Sequence, residues 1–136
     1  MVSRRLKGRR KKRLFGNPKE KALKKLRKEL RAGLYSYIVL SLLKNNGEMH
    51  GYSIRKEFEK ISDGKIVPSE GALYDLLKSL ERYKLIEGFW AEVGGRPRKY
   101  YRITPLGMEV FKELENEIGL INRTLKEVRG EKYEWS

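Results

Sequence analysis

Between Leu106 and Val128 seven apolar residues (Leu106, Val110, Leu114, Ile118, Ile121, Leu125 and Val128) recur at helical spacing. Thr104-Pro105 in front of them reads as an N-cap followed by proline at the first helical position. A helix of that span is about 36 Å long, more than a small domain can cover. Part of its apolar stripe is therefore expected to meet a second chain, and the expected assembly is a homodimer. The 136 residues leave room for one compact domain with appendages, and 39% hydrophobic residues suffice for a small core. With no cysteine, neither a disulfide framework nor a cysteine zinc site can hold the fold.

The net charge of +14 is unevenly spread. Residues 1–31 hold fifteen Lys or Arg against only Glu20 and Glu29, whereas the remainder of the chain is nearly neutral. A basic arm over residues 1–16, with Arg9, Arg10, Lys11, Lys12 and Arg13 at its centre, is expected to reach a polyanion by counterion release. The bland reading of such an arm is a solvated tail that aids solubility. A membrane surface is a poor partner, because Met1 to Arg13 offers only Val2 and Leu6 to bury. No apolar stretch of signal-peptide form follows the amino terminus, and the run Leu34–Leu43 is too short to cross a bilayer, so the expected location is cytoplasmic.

Along residues 17–104 the pattern alternates helical stripes with turn signals. Asn17-Pro18 starts a helix with Leu23, Leu26 and Leu30 on one face, expected to stop before Gly33 and to assist dimerisation. A buried helix is expected from Leu34 to Lys44, closed by Asn45-Asn46-Gly47, and another over Gly51–Lys60 with Ile54 and Phe58 inward. Ile66-Val67 suggests a very short strand. Pro68-Ser69 then opens a third helix with Leu73, Leu76 or Leu77, and Leu80 inward, and with Glu70, Tyr74, Asp75, Lys78 and Arg82 on its other side.

Leu85–Ala91 and Lys99–Thr104 read as two strands joined through a Gly94-Gly95 tip that carries Arg96 and Arg98 around Pro97. The expected fold class is thus mainly α with a small β-hairpin: a winged helix-turn-helix over 17–104, a dimerisation helix over 105–128 and a tail over 129–136. Such a domain suits double-stranded DNA. A helix fits the major groove and can present Ser69, Glu70, Tyr74, Lys78 and Arg82, while the hairpin lays Arg96, Arg98 and Lys99 along the backbone or minor groove.

The sequence also resembles the PadR-like transcriptional regulators over roughly residues 26–128. The resemblance rests on Gly33 with Tyr37-Ile38-Val39-Leu40-Ser41-Leu42-Leu43, on Met49-His50-Gly51-Tyr52-Ser53-Ile54, and on Gly71-Ala72-Leu73-Tyr74 with Leu77 and Leu80-Glu81. It continues in Leu85-Ile86 and in Gly95-Arg96-Pro97-Arg98-Lys99-Tyr100-Tyr101-Arg102-Ile103-Thr104-Pro105-Leu106-Gly107. It implies a dimer in which the third helix and the wing bind DNA and the last helix supplies the dimer contact. Repression is the sign of regulation it suggests. Asp75 departs from the family pattern, which commonly has proline after the tyrosine, and the arm is longer and more basic than that pattern requires.

Alternatives from other classes are a sequence-indifferent architectural DNA binder dominated by the arm, and an RNA-binding winged helix. An enzyme, a metal site or a cofactor finds no constellation: His50 is the single histidine and reads as a residue that caps or orients a helix start. Tyr74 reads either as a core aromatic or as a DNA contact, and both can hold. Trp90 reads as an anchor of the hairpin in preference to the wall of a small-molecule effector pocket, and no effector is identified.

Overall fold

The computed structural model describes residues 16–130, which fall into two compact units, one ending at Leu34 and one starting at Tyr35. The elements in order are α1 (Pro18–Asn46), β1 (Met49–His50), α2 (Gly51–Ser62), α3 (Glu70–Arg82), β2 (Ile86–Val93), β3 (Arg96–Ile103) and α4 (Pro105–Arg129). The basic arm residues Arg9, Arg10, Lys11, Lys12 and Arg13 lie outside the described residues.

Asn17 caps α1, its Oδ1 accepting from the Glu20 amide at 2.8 Å. The two helices expected on either side of Gly33 are one: α1 continues to Asn46 and ends only where Gly47, at φ 76°, donates its amide to the Leu43 carbonyl. An interior glycine weakens a helix by about 1 kcal/mol relative to alanine, which is too little to end one that has good formers on both sides. Leu23, Leu26 and Leu30 are exposed on the first part of α1. Its second part contributes Val39, Leu40, Leu42 and Leu43 to the core.

Around those four residues pack Met49, Ile54 and Phe58, the α3 stripe Leu73, Leu77 and Leu80, and then Ile86, Tyr101 and Phe111. The inward phase of α3 matches the sequence pattern, with Leu77 buried and Leu76 only half-buried. Phe111 stacks on Tyr37 with ring centroids 5.2 Å apart and joins α4 to the end of the core.

The expected strand at Ile66-Val67 is a loop. The Ser62 hydroxyl accepts from the Ile66 amide at 3.0 Å, and the Arg55 guanidinium donates to the Pro68 carbonyl at 3.0 Å, so side chains tie this segment down at Ile66 and Pro68 without a strand partner. The third strand is instead β1, and the antiparallel sheet runs β1-β3-β2 with Met49 opposite Tyr101 and Ile86 opposite Ile103.

The hairpin strands reach further than the sequence suggests. Val93 pairs with Arg96 directly across Gly94-Gly95, whose φ values of 63° and 74° are those of a tight two-residue hairpin turn. Arg96 and Arg98 therefore belong to β3, not to a loose tip. Pro97 is tolerated there because Glu92–Pro97 is a pair whose amides point away from each other, and β1 is too short to reach that side of β3.

Thr104 caps α4 as expected, its Oγ1 accepting from the Gly107 amide at 2.9 Å with Pro105 at the helix start. Leu106 is exposed. Gly107 and Phe111 are buried, Val110, Leu114 and Ile118 are half-buried, and Ile121, Leu125 and Val128 are exposed. No described helix is long and apolar enough to cross a membrane.

Candidate nucleic-acid interface

The start of α3 is fixed by Ser69, whose Oγ accepts from the Ala72 amide at 3.2 Å. Its hydroxyl oxygen, expected to face DNA, is thus engaged as a cap. Glu70 is exposed in the first turn, where a carboxylate suits the positive end of the helix dipole. Burial of Leu73, Leu77 and Leu80 turns Tyr74 and Lys78 outward one above the other. Arg82 is exposed in the last turn of α3 and does not line the groove described next.

Tyr74 and Lys78 form one wall of an open groove of about 800 Å³; Trp90, Arg96, Arg98 and Lys99 of the wing form the other. The start of α2, with His50, Gly51 and Tyr52, closes one end. Helix α3 and the wing thus line one groove. Tyr74 is not a core aromatic: its ring packs over Gly51, but 44% of the residue remains exposed and it lines the groove.

The charges of the groove are not equivalent. Lys99 Nζ lies 3.2 Å from Glu81 Oε1, and Gly88 leaves room for this pair, since a Cβ there would come within 2.7 Å of Glu81 Oε2. Beneath them, burial raises the pKa of the Tyr101 phenol, with Glu81 and Tyr74 adding to the effect. Among the described residues no carboxylate pairs with Lys78, Arg96 or Arg98. The groove therefore carries three cations without a carboxylate partner and a fourth that is paired.

Arg98 is held by a cluster that sequence reading did not anticipate. His50 Nδ1 accepts from the Ser53 amide at 3.2 Å while the Ser53 hydroxyl accepts from the His50 amide at 3.0 Å, a reciprocal cap on α2. Arg98 Nη1 lies 3.0 Å from Nε2 and 3.3 Å from Nδ1 of the same ring. Nearly equal distances to both nitrogens put the guanidinium against the ring face, because an in-plane approach would drive it into Cε1. Tyr52 lies parallel to the imidazole, with Arg98 5.9 Å above its own ring. Burial lowers the His50 pKa and Arg98 lowers it further, so the ring is neutral at pH 7 and keeps its acceptor.

Trp90 corrects the sequence reading. It is 72% exposed on the groove side of β2, so it does not anchor the hairpin. On the opposite face Phe89 stacks with Tyr100, and Arg102, bound to Glu87 at 2.7 Å and to Glu48 at 3.3 Å, lies over the Phe89 ring. That second face is what braces the wing.

The model of the transcriptional regulator PadR-like family matches residues 39–113, from the core part of α1 to the first turns of α4. The chain belongs to the PadR-like family. A transcriptional regulator from Clostridium thermocellum superposes with a TM-score of 0.68 at 31% identity, over 73% of this chain and 96% of that one. Transcriptional regulator YqjI of Escherichia coli is 28% identical over 89 residues, which are 65% of this chain and 41% of that protein. The Bacillus subtilis PadR structure, a complex with operator DNA, shares the fold at a TM-score of 0.54 and 24% identity, over 60% of this chain and 46% of that one. The three-helix and wing arrangement of this PadR-like protein is thus the winged helix of its family, and α1 begins well before the matched region.

Proposed function

We propose that this protein is a sequence-specific DNA-binding repressor that grips a pseudo-palindromic operator as a homodimer. The observation that carries the reading is the single groove in which Tyr74 and Lys78 of α3 face Arg96 and Arg98 of the wing. A helix surface of this kind enters a major groove, and the wing cations neutralise the adjoining phosphates. Lys78 and Tyr74 read base edges; Arg96 and Arg98 set register; Glu70 and Arg82 flank the reading surface at the two ends of α3. Ser69 holds the start of the helix, and Lys99 adds its charge when Glu81 releases it. Repression is the sign of regulation that the family resemblance suggests, and a dimer contact is the role it suggests for the last helix. Its exposed residues Ile121, Leu125 and Val128, continuing from Val110, Leu114 and Ile118, form an apolar face suited to a second copy. Leu23, Leu26 and Leu30 of α1 offer another.

The basic arm adds sequence-independent affinity. If Arg9, Arg10, Lys11, Lys12 and Arg13 each neutralise one phosphate, deleting residues 1–16 lowers the salt slope by about 4.5 per protomer.

The test is retention of sheared genomic DNA from the source organism on the purified protein at about 0.15 M salt, where weak surface electrostatics are screened. A few sharp peaks sharing a two-fold motif are expected. Uniform retention would replace the regulator by an architectural DNA binder, and no retention would redirect the search to RNA.

A further inference from the structure

Trp90 is the largest side chain of the wing, and 72% of it is left in solvent. Its register explains why. Trp90 pairs across the hairpin with Lys99, and this pair lies on the same face as Ile86–Ile103 and Gly88–Tyr101, the face that packs on the core nearer the base of the wing. At the level of Trp90 the core has ended, so the indole looks into the open groove that Tyr74 and Lys78 also line. Neither α3 nor the sheet covers it. A second face of the hairpin already braces the wing through Phe89, Tyr100 and Arg102, so Trp90 is not needed for that purpose.

We infer that Trp90 is a DNA-contact residue, its indole packing against the sugar-phosphate strand that occupies the groove between α3 and the wing. The inference rests on the function proposed above and extends it to an apolar contact. Charge complementarity selects the occupant: Lys78, Arg96 and Arg98 line the same groove as the indole, and the one acid that lines it, Glu81, is already paired with Lys99. A polyanion with apolar faces satisfies both halves of this surface, phosphates meeting the cations and deoxyribose or an exposed base edge meeting the ring. Tyr74 presents a second aromatic across the same groove, so the strand is held between two rings as well as by charge.

The experiment uses the full chain carrying Trp135→Phe, in which Trp90 is the sole tryptophan. A dye-labelled mixed-sequence duplex of about 30 base pairs is added at about 0.05 M salt, where contacts to the backbone suffice for binding. Anisotropy of the dye reports occupancy, and acrylamide, a neutral quencher, reports access to the indole. At saturation the quenching constant of Trp90 is expected to fall severalfold. Trp90→Ala is expected to weaken binding about tenfold without changing the salt slope, and Trp90→Phe to restore most of the loss. A saturating anisotropy rise with unchanged quenching and unchanged affinity of Trp90→Ala would overturn this inference alone. Absence of any anisotropy rise would overturn the DNA-binding reading and this contact with it.

Discussion

The ring of Tyr74 lies over Gly51 so closely that a Cβ at position 51 would meet the phenolic oxygen at 3.2 Å and the ring carbons at 3.4 Å. The first residue of α2 thereby sets the height of a side chain on α3 that lines the groove. Because the other side of Tyr74 is open, the ring can yield by swinging outward. Gly51→Ala is therefore expected to alter stability by less than about 1 kcal/mol, since alanine also favours the helix. DNA affinity is expected to drop about tenfold as the phenol is displaced. Thermal unfolding and anisotropy titration of the same variant separate the two effects.

Gly107 is a different case. A Cβ there would come within 2.1 Å of the Leu85 carbonyl oxygen and 2.7 Å of Ile103 Cγ1. The obstacle is backbone that is itself held by the Thr104 amide and hydroxyl, so nothing small can give way. Gly107→Ala is expected to cost about 2 kcal/mol or more, read as a lowered denaturation midpoint with an unchanged slope.

His50 links stability to pH. Burial and Arg98 hold its pKa below the ordinary 6.5, so as pH falls the unfolded chain takes up the proton first. The contribution is complete above pH 6.5 and is lost progressively as the pH drops below that value through the lowered folded pKa. Protonation also removes the acceptor for the Ser53 amide and sets a second cation against Arg98. Melting temperatures between about pH 5 and 8 are expected to fall on the acid side in the native chain, and less steeply in His50→Asn, which keeps a capping oxygen without a titrating ring.

Glu81 restrains a cation that lines the groove. Its bond to Lys99 joins groups 28% and 37% exposed, so screening leaves the pair at most about 1 kcal/mol of stability. Glu81→Gln is expected to tighten DNA binding at low salt and to steepen the salt dependence by up to about 0.9 per protomer, as one more phosphate is neutralised. A titration series in salt measures both.

Helix α4 carries the proposed dimer contact. Ile121 and Leu125 are each 42% exposed and contribute little to the core, so Ile121→Glu with Leu125→Glu is expected to leave the melting temperature of the domain nearly unchanged. The same change is expected to convert the dimer into a monomer by sedimentation velocity and to abolish retention of two-fold sites. A variant that still sediments as a dimer would remove α4 from the interface.

Local signals that carry their own physics were legible before any coordinates. The caps at Asn17, Ser69 and Thr104, the inward stripe of α3, the turn at Gly94-Gly95 and the length of α4 all stand where sequence patterns put them, because each depends on neighbours within a few residues. What escaped depends on distant partners. Met49-His50 is a strand only because Tyr100 and Tyr101 lie beside it, and Gly33 stays helical because both flanks are strong formers. Trp90 faces outward because the core ends beneath it. Arg98 was readable as a wing cation, but not the imidazole it rests on, 48 residues earlier in the chain. Lys99 is legible as a wing cation, but its pairing with Glu81, 18 residues earlier, is not.

On the function proposed, the surface shared by α3 and the wing discriminates between sequences. The most direct test is the ratio of affinities, at about 0.15 M salt, for a duplex carrying the motif retained from genomic DNA and for a scrambled duplex of the same composition. A ratio of about 10³ or more is predicted, shrinking when Lys78 or Tyr74 is replaced by alanine. A ratio near one would contradict the account and leave a protein that holds DNA by charge alone.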